Sequence, residues 1–149
     1  RKMYKHTQKA PLHWTLHAAA LVILMLGAFA PADAPGTMVL VLLAAVFVFL
    51  GLCFRDLTVC VDEADLSIQF GPIPLFGKRI SLSKITQVDS GYSRWIDGWG
   101  IHFVPGRGWT YNLWGFECVE FRLNGKRFRI GTDDRDGLAR AIAEKVAQT

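Results

Sequence analysis

His13 and His17 are the pair in this chain best spaced for metal or haem ligation, because an interval of four sets both imidazoles on one helix face. They fall in the first turns of an apolar stretch, within reach of headgroups and water, and no acidic ligand accompanies them in the next one. The expected role is a polar interface or helix contact, and no cofactor is expected. A haem- or metal-carrying redox subunit is kept as a third functional reading, which a colourless preparation without a Soret band would end. Cys53, Cys60 and Cys118 show no CxxC spacing and read as buried free thiols. Asp62, Glu63 and Asp65 form an acidic turn of the kind that faces solvent. The chain carries no phosphate loop of Walker type, no zinc ligand set and no motivated Ser-His-Asp arrangement, and Gly98-Trp-Gly100 lacks the rest of a dinucleotide fingerprint. An enzyme is not expected.

The densest chemistry lies between Tyr92 and Phe116. This glycine-rich segment holds four of the five tryptophans, together with Phe103, Tyr111, Arg94, Arg107 and His102. About half of these rings are expected in the core, with Trp109 and Tyr111 alternating as one face of a strand. The rest are expected to form a contact surface for a protein or a lipid headgroup, with Arg94, Trp95, Trp99 and Arg107 as its residues.

These residues must be held by two very different parts of the chain. From Leu12 to Phe54 the only charged side chain is Asp33, whereas charge is spread evenly from Arg55 onward. Residues 12–30 and 37–54 are long enough to be transmembrane helices, and Pro31-Ala-Asp-Ala-Pro-Gly36 leaves room only for a tight hairpin. Residues 1–11 read as a basic cytoplasmic tail, with Arg1, Lys2, Lys5 and Lys9 on one side of the first helix and Arg55 after the second. The positive-inside rule then puts both termini in the cytoplasm, under an inner or plasma membrane. Trp14, Lys5, Lys9 and Arg55 are the expected interface residues. The net charge of +4 comes mostly from this tail, since residues 55–149 hold 13 Lys/Arg against 12 Asp/Glu, and a nucleic-acid partner is not expected.

Beyond Phe54 the pattern alternates. Leu57–Val61, Leu66–Phe70, Lys78–Leu82 and Lys84–Val88 read as strands, with a turn around Pro72 and Pro74. Asn124-Gly125 predicts a two-residue hairpin turn, which sets Phe121 opposite Phe128, Val119 opposite Ile130, Glu120 opposite Arg129 and Arg122 opposite Arg127. The opposed Arg122 and Arg127 suggest an anionic neighbour. A final helix follows, with Asp133 as its cap, Asp136 in its first turn and a stripe of Leu138, Ala139, Ile142, Ala143 and Val146. Seven or eight short antiparallel strands closed by this helix are expected over residues 55–149.

Two apolar helices followed by strands and a closing helix resemble bacterial membrane proteins with a pleckstrin-homology-like (PH-like) domain. Asp97-Gly-Trp-Gly-Ile-His102, Gly108-Trp-Thr-Tyr-Asn-Leu-Trp-Gly-Phe116 and Arg129-Ile-Gly-Thr-Asp-Asp134 are similar to recurring phrases of that group. The resemblance implies an antiparallel PH-like barrel or sandwich closed by a C-terminal helix. Eukaryotic relatives bind phosphoinositides through basic residues in early strands; Lys78 and Arg79 are the only comparable pair here and do not complete that motif. The expected function is a non-catalytic, membrane-anchored module that binds and organises a partner membrane protein, as an accessory or assembly subunit. Recognition of lipid headgroups is the alternative.

Overall fold

The structure is a computed structural model that describes residues 3–31 and 35–148. The basic residues Arg1 and Lys2 and the loop charge Asp33 lie outside the described residues. In chain order the elements are β1 (Tyr4–Lys9), α1 (Leu12–Ala28), α2 (Pro35–Cys53), β2 (Asp56–Val61), β3 (Asp65–Phe70), β4 (Gly77–Ser81), β5 (Ile85–Tyr92), β6 (Gly100–Val104), β7 (Gly108–Asn112), β8 (Glu117–Leu123), β9 (Lys126–Gly131) and α3 (Arg135–Val146). Short 3-10 turns at Leu82–Lys84 and Trp95–Asp97 flank β5.

The strands form two sheets, ordered β1-β2-β3-β4 and β5-β8-β9-β7-β6. Every pairing is antiparallel except β7 with β9, which is parallel. The two sheets share one core with α3: Leu57 and Val59 from β2, Ile68 and Phe70 from β3, Val119 and Phe121 from β8, Phe128 and Ile130 from β9, and Leu138 and Ile142 from the helix. The period-two alternation of the sequence is the inward face of these strands. Asn124 and Gly125 both have positive φ (50° and 78°), the requirement of a two-residue hairpin turn, and the β8–β9 register is the one the sequence predicts.

Residues 4–9 are not a free tail. They form β1, an edge strand paired with β2 from Tyr4↔Val61 to Lys9↔Asp56. The strand escapes sequence reading because its inward side is Tyr4, His6 and Gln8 rather than an apolar series. Each of these finds a distant polar partner. The Tyr4 hydroxyl donates to Asp134 Oδ2 at 2.9 Å, His6 Nε2 lies 2.5 Å from Asp133 Oδ1, and Gln8 Nε2 donates to the Trp114 carbonyl at 3.0 Å. The cap of α3 is consequently Asp134, whose Oδ1 accepts from the Gly137 amide at 3.2 Å, and not Asp133. On α3, Ala141 rather than Ala143 joins Leu138 and Ile142 against the core.

Because β1 and β2 are neighbours, the two apolar helices are an insertion between adjacent strands. Helix α2 has 19 residues and a mean hydropathy of 2.7, long and apolar enough to cross a membrane; α1 has 17 residues. Their interface buries small residues, Ala20 and Gly27 on α1 and Ala44 and Gly51 on α2, with Gly27 beside Leu40 and Gly51 beside His17, while Leu21, Leu26, Leu42 and Val46 stay exposed. Small side chains let helix backbones approach closely and gain dispersion contact. Gly51 serves His17: a Cβ there would sit 2.5 Å from His17 Nε2. Gly51→Leu is expected to drive the imidazole out and cost about 1–3 kcal/mol of helix pairing. The check is thermal unfolding in detergent, where an unchanged midpoint would refute the contact.

Candidate interaction surface

The turn Trp95–Asp97 presents Trp95 and Ile96 at 82% and 71% exposure, while Asp97 points inward and is 6% exposed. One carboxylate oxygen organises the turn. Asp97 Oδ2 accepts from the Arg94 amide at 2.7 Å, from Arg107 Nη1 at 2.8 Å and from Arg129 Nη1 at 3.1 Å. Arg129, 1% exposed, also has its Nε 3.0 Å from Glu120 Oε1 and its Nη1 3.4 Å from Ser93 Oγ. His102 Nε2 meets the Asp97 carbonyl. Burial on its own would raise the Asp97 carboxyl; the Arg94 amide and the two guanidiniums outweigh it and hold the group below the ordinary carboxylate range. The pairing of Glu120 with Arg129 is legible in the hairpin register, but Asp97, the centre of the network, enters the sequence reading only as part of the Asp97–His102 phrase, with no role of its own.

Arg107, an expected contact residue, pairs its guanidinium with Asp97 and so helps to hold the turn, with part of its side chain still exposed. The Arg94 side chain is exposed, and its backbone closes the turn. Trp99 is 43% exposed and stacks on Trp114 with ring centroids 4.3 Å apart, its Nε1 donating to the Gly115 carbonyl at 3.4 Å. The Trp114 carbonyl in turn receives Gln8 near the end of β1, beside the start of α1. The Trp95–Ile96–Trp99 surface is thus linked to the end of the domain from which the apolar helices leave.

A second aromatic surface lies toward the β8–β9 turn. Tyr111 stacks on Phe128 at 5.3 Å within the core, as its alternation predicts. Its strand neighbour Trp109 is instead half exposed and meets Phe103 edge-on at 6.0 Å. Lys126 and Arg127 line the same cleft, and Arg127 Nη1 donates to the Gly106 carbonyl at 3.2 Å. Lys78 Nζ sits 5.4 Å over the Phe128 ring. Arg122 and Arg127 stand opposite each other in register, and Arg122 Nη1 donates to the Gly125 carbonyl at 3.0 Å.

Of the other sequence candidates, Trp14, Lys5, Lys9 and Arg55 are all exposed, and Arg55 Nε donates to Asp56 at 3.1 Å. His13 Nδ1 lies 2.8 Å from the Ala10 carbonyl, and the His17 ring packs on Gly51. Among the described residues, no group of three or more His, Cys, Asp and Glu side chains comes together as a metal site. In the acidic turn, Asp62 Oδ1 accepts from the Ala64 and Asp65 amides at 3.0 Å and 2.8 Å. Those bonds hold its carboxyl below the ordinary range, which makes Asp62 a turn-forming residue. Compared with known proteins, the chain matches no family model and no curated protein.

Proposed function

We propose that the chain is a non-catalytic, membrane-anchored module of PH-like type, whose domain docks a partner membrane protein as an accessory or assembly subunit. The observation that carries this reading is the pair Trp95 and Ile96, 82% and 71% exposed on a turn pinned by a buried carboxylate. Leaving two large apolar side chains in water forgoes about 1.5–3 kcal/mol each. A rigid tryptophan is also the kind of side chain that dominates protein interfaces, because little conformational entropy is lost on docking.

In this reading both apolar helices cross the bilayer. The pairing of β1 with β2 keeps the start of α1 and the end of α2 together, so the domain and the N-terminal strand share one side. Lys5, Lys9 and Arg55 favour the cytoplasmic side. The 17 residues of α1 rise about 25 Å, short of the hydrocarbon core by an amount that local thinning accommodates. The contact from Gln8 to Trp114 supports a second reading, in which the same surface touches lipid headgroups.

The test is purification of the full chain from native membranes in mild detergent, with mass spectrometry of stoichiometric companions. Trp95→Ala combined with Ile96→Ala is expected to weaken partner retention by at least about tenfold. Unfolding stability should change by less than roughly 0.5 kcal/mol, because both side chains are exposed. Recovery of the chain with lipid alone would sink the protein reading and advance the lipid one.

A further inference from the structure

The sheets end in four edge strands, β1, β4, β5 and β6. An open edge offers a row of backbone N–H and C=O groups to any passing strand, and soluble folds block it with charge, a bulge or a covering element. Three of these edges are blocked. Strand β1 carries the exposed Lys5 and Lys9, and β4 carries Lys78 and Arg79. Strand β5 shifts register between Thr86 and Asp89, with Gln87 at φ 53°, and packs against α3. The fourth, β6, reads Gly100-Ile-His-Phe-Val104: it has no lysine, arginine, carboxylate or proline, and no register shift interrupts its pairing with β7. No strand pairs with its outer side among the described residues.

Beside this edge lies a cleft of about 390 Å³, with Phe103 (59% exposed) and Trp109 (48% exposed) as its apolar surface and Lys126 and Arg127 as its charges. Across Trp109 a second cleft adds Lys78. Among the described residues, no carboxylate lines either one.

We propose that β6 and this cleft together receive an extended acidic segment of the partner protein, added to the sheet as a further strand. The inference rests on the partner reading above. Main-chain bonds along β6 would hold the segment, and side chains two apart would fall on one face, an apolar one on Phe103 and a carboxylate toward the Lys126 and Arg127 end of the adjoining cleft. Charge complementarity selects this occupant. A second copy of the chain brings the same cations to the same edge, and lipid tails offer no hydrogen-bond partners to the strand.

The experiment uses the full chain in nanodiscs of neutral phosphatidylcholine and labelled peptides, one alternating glutamate with leucine and one alternating lysine with leucine. Fluorescence anisotropy is expected to show binding of the acidic peptide only. Lys126→Glu with Arg127→Glu should weaken it at least about tenfold. Phe103→Lys, which charges the edge while leaving the basic rim intact, should weaken it as well. Equal binding of both peptides, unchanged affinity in the variants, or a dimer of the chain that Phe103→Lys dissociates would overturn the proposal. A native partner retained undiminished by the Lys126→Glu/Arg127→Glu protein but lost from the Trp95→Ala/Ile96→Ala protein would also overturn it, leaving the partner reading in place. If the wild type retains no native protein, the partner reading fails separately, while selective capture of the acidic peptide still supports the cleft.

Discussion

Replacing Asp97 with asparagine is expected to cost about 3–5 kcal/mol of folding stability, the range for breaking one side of a buried ion pair. Arg129 is 1% exposed and cannot turn to water, and the neutral amide would leave it with the partly exposed Glu120 as its one anion among the described residues. Arg107 is freer to swing outward, so the buried arginine dominates the loss. Urea unfolding of the full chain in detergent, followed by tryptophan fluorescence, measures the effect. The same variant should speed amide exchange at residues 94–99, because the carboxylate closes that turn through the Arg94 amide. A loss below about 1 kcal/mol would mean that the network contributes no more than an exposed ion pair does. The pH dependence has a definite sign. The folded carboxyl titrates below its ordinary value of 3.8, so the native state favours the charged form. Its contribution is complete above that value and is lost as pH falls through the lower, folded one. Acid unfolding of the wild type in that window should therefore be steeper than that of Asp97→Asn. Asp62, also depressed, contributes equally to both proteins and cancels in the comparison.

Gly71→Ala is expected to disturb the seam between the domain and α2. Gly71 has φ of +61°, and a Cβ there would lie 2.3 Å from the Cys53 carbonyl oxygen and 2.7 Å from that of Leu52. Both are backbone atoms in the last turn of α2, so relief requires the helix end to move relative to the sheet. The Gly71 amide is itself tied to the Asp56 carbonyl at 2.7 Å, which blocks the opposite escape. Backbone strain alone costs about 1–3 kcal/mol, and the overlap adds to it. Gly125→Ala is the control: φ is +78° there, with nothing within 4 Å of the added Cβ, so it carries the strain without the clash. Thermal unfolding should fall further for Gly71→Ala than for Gly125→Ala, and trypsin should cut faster at Arg55. Equal losses in the two variants would show that the seam tolerates movement.

Elements whose signals are short-range are legible in the chain. The hairpin across Asn124-Gly125 is read down to its cross-strand pairs because turn type fixes register and alternation fixes the inward face. The two apolar helices are visible from composition, with ends displaced by one or two residues: α1 stops at Ala28 and α2 begins at Pro35, whose fixed φ suits a first helical position. The surface is half legible. Trp95 and Trp99 are exposed side chains in the aromatic segment, while Ile96, also exposed between them, carries no sequence mark and Asp97 appears there only within a longer phrase. The arginine chosen for contact, Arg107, is occupied by that aspartate.

By itself the sequence determined the apolar helical segments, the alternating strands β2, β3 and β4, the β8–β9 hairpin with its turn and most of the apolar face of α3, all of which rest on neighbours within a few residues. Tertiary structure alone decided that residues 4–9 are a strand, that Asp134 and not Asp133 caps α3, that Asp97 gathers two arginines, and that β6 is an edge strand. The physical reason is shared. Tyr4, His6 and Gln8 are held by partners more than a hundred residues away, and Arg129 reaches Asp97 across 32 positions. A polar side chain carries no periodic mark of such a partner, because its place in the fold depends on which opposite charge or hydrogen-bonding atom the finished structure brings to it.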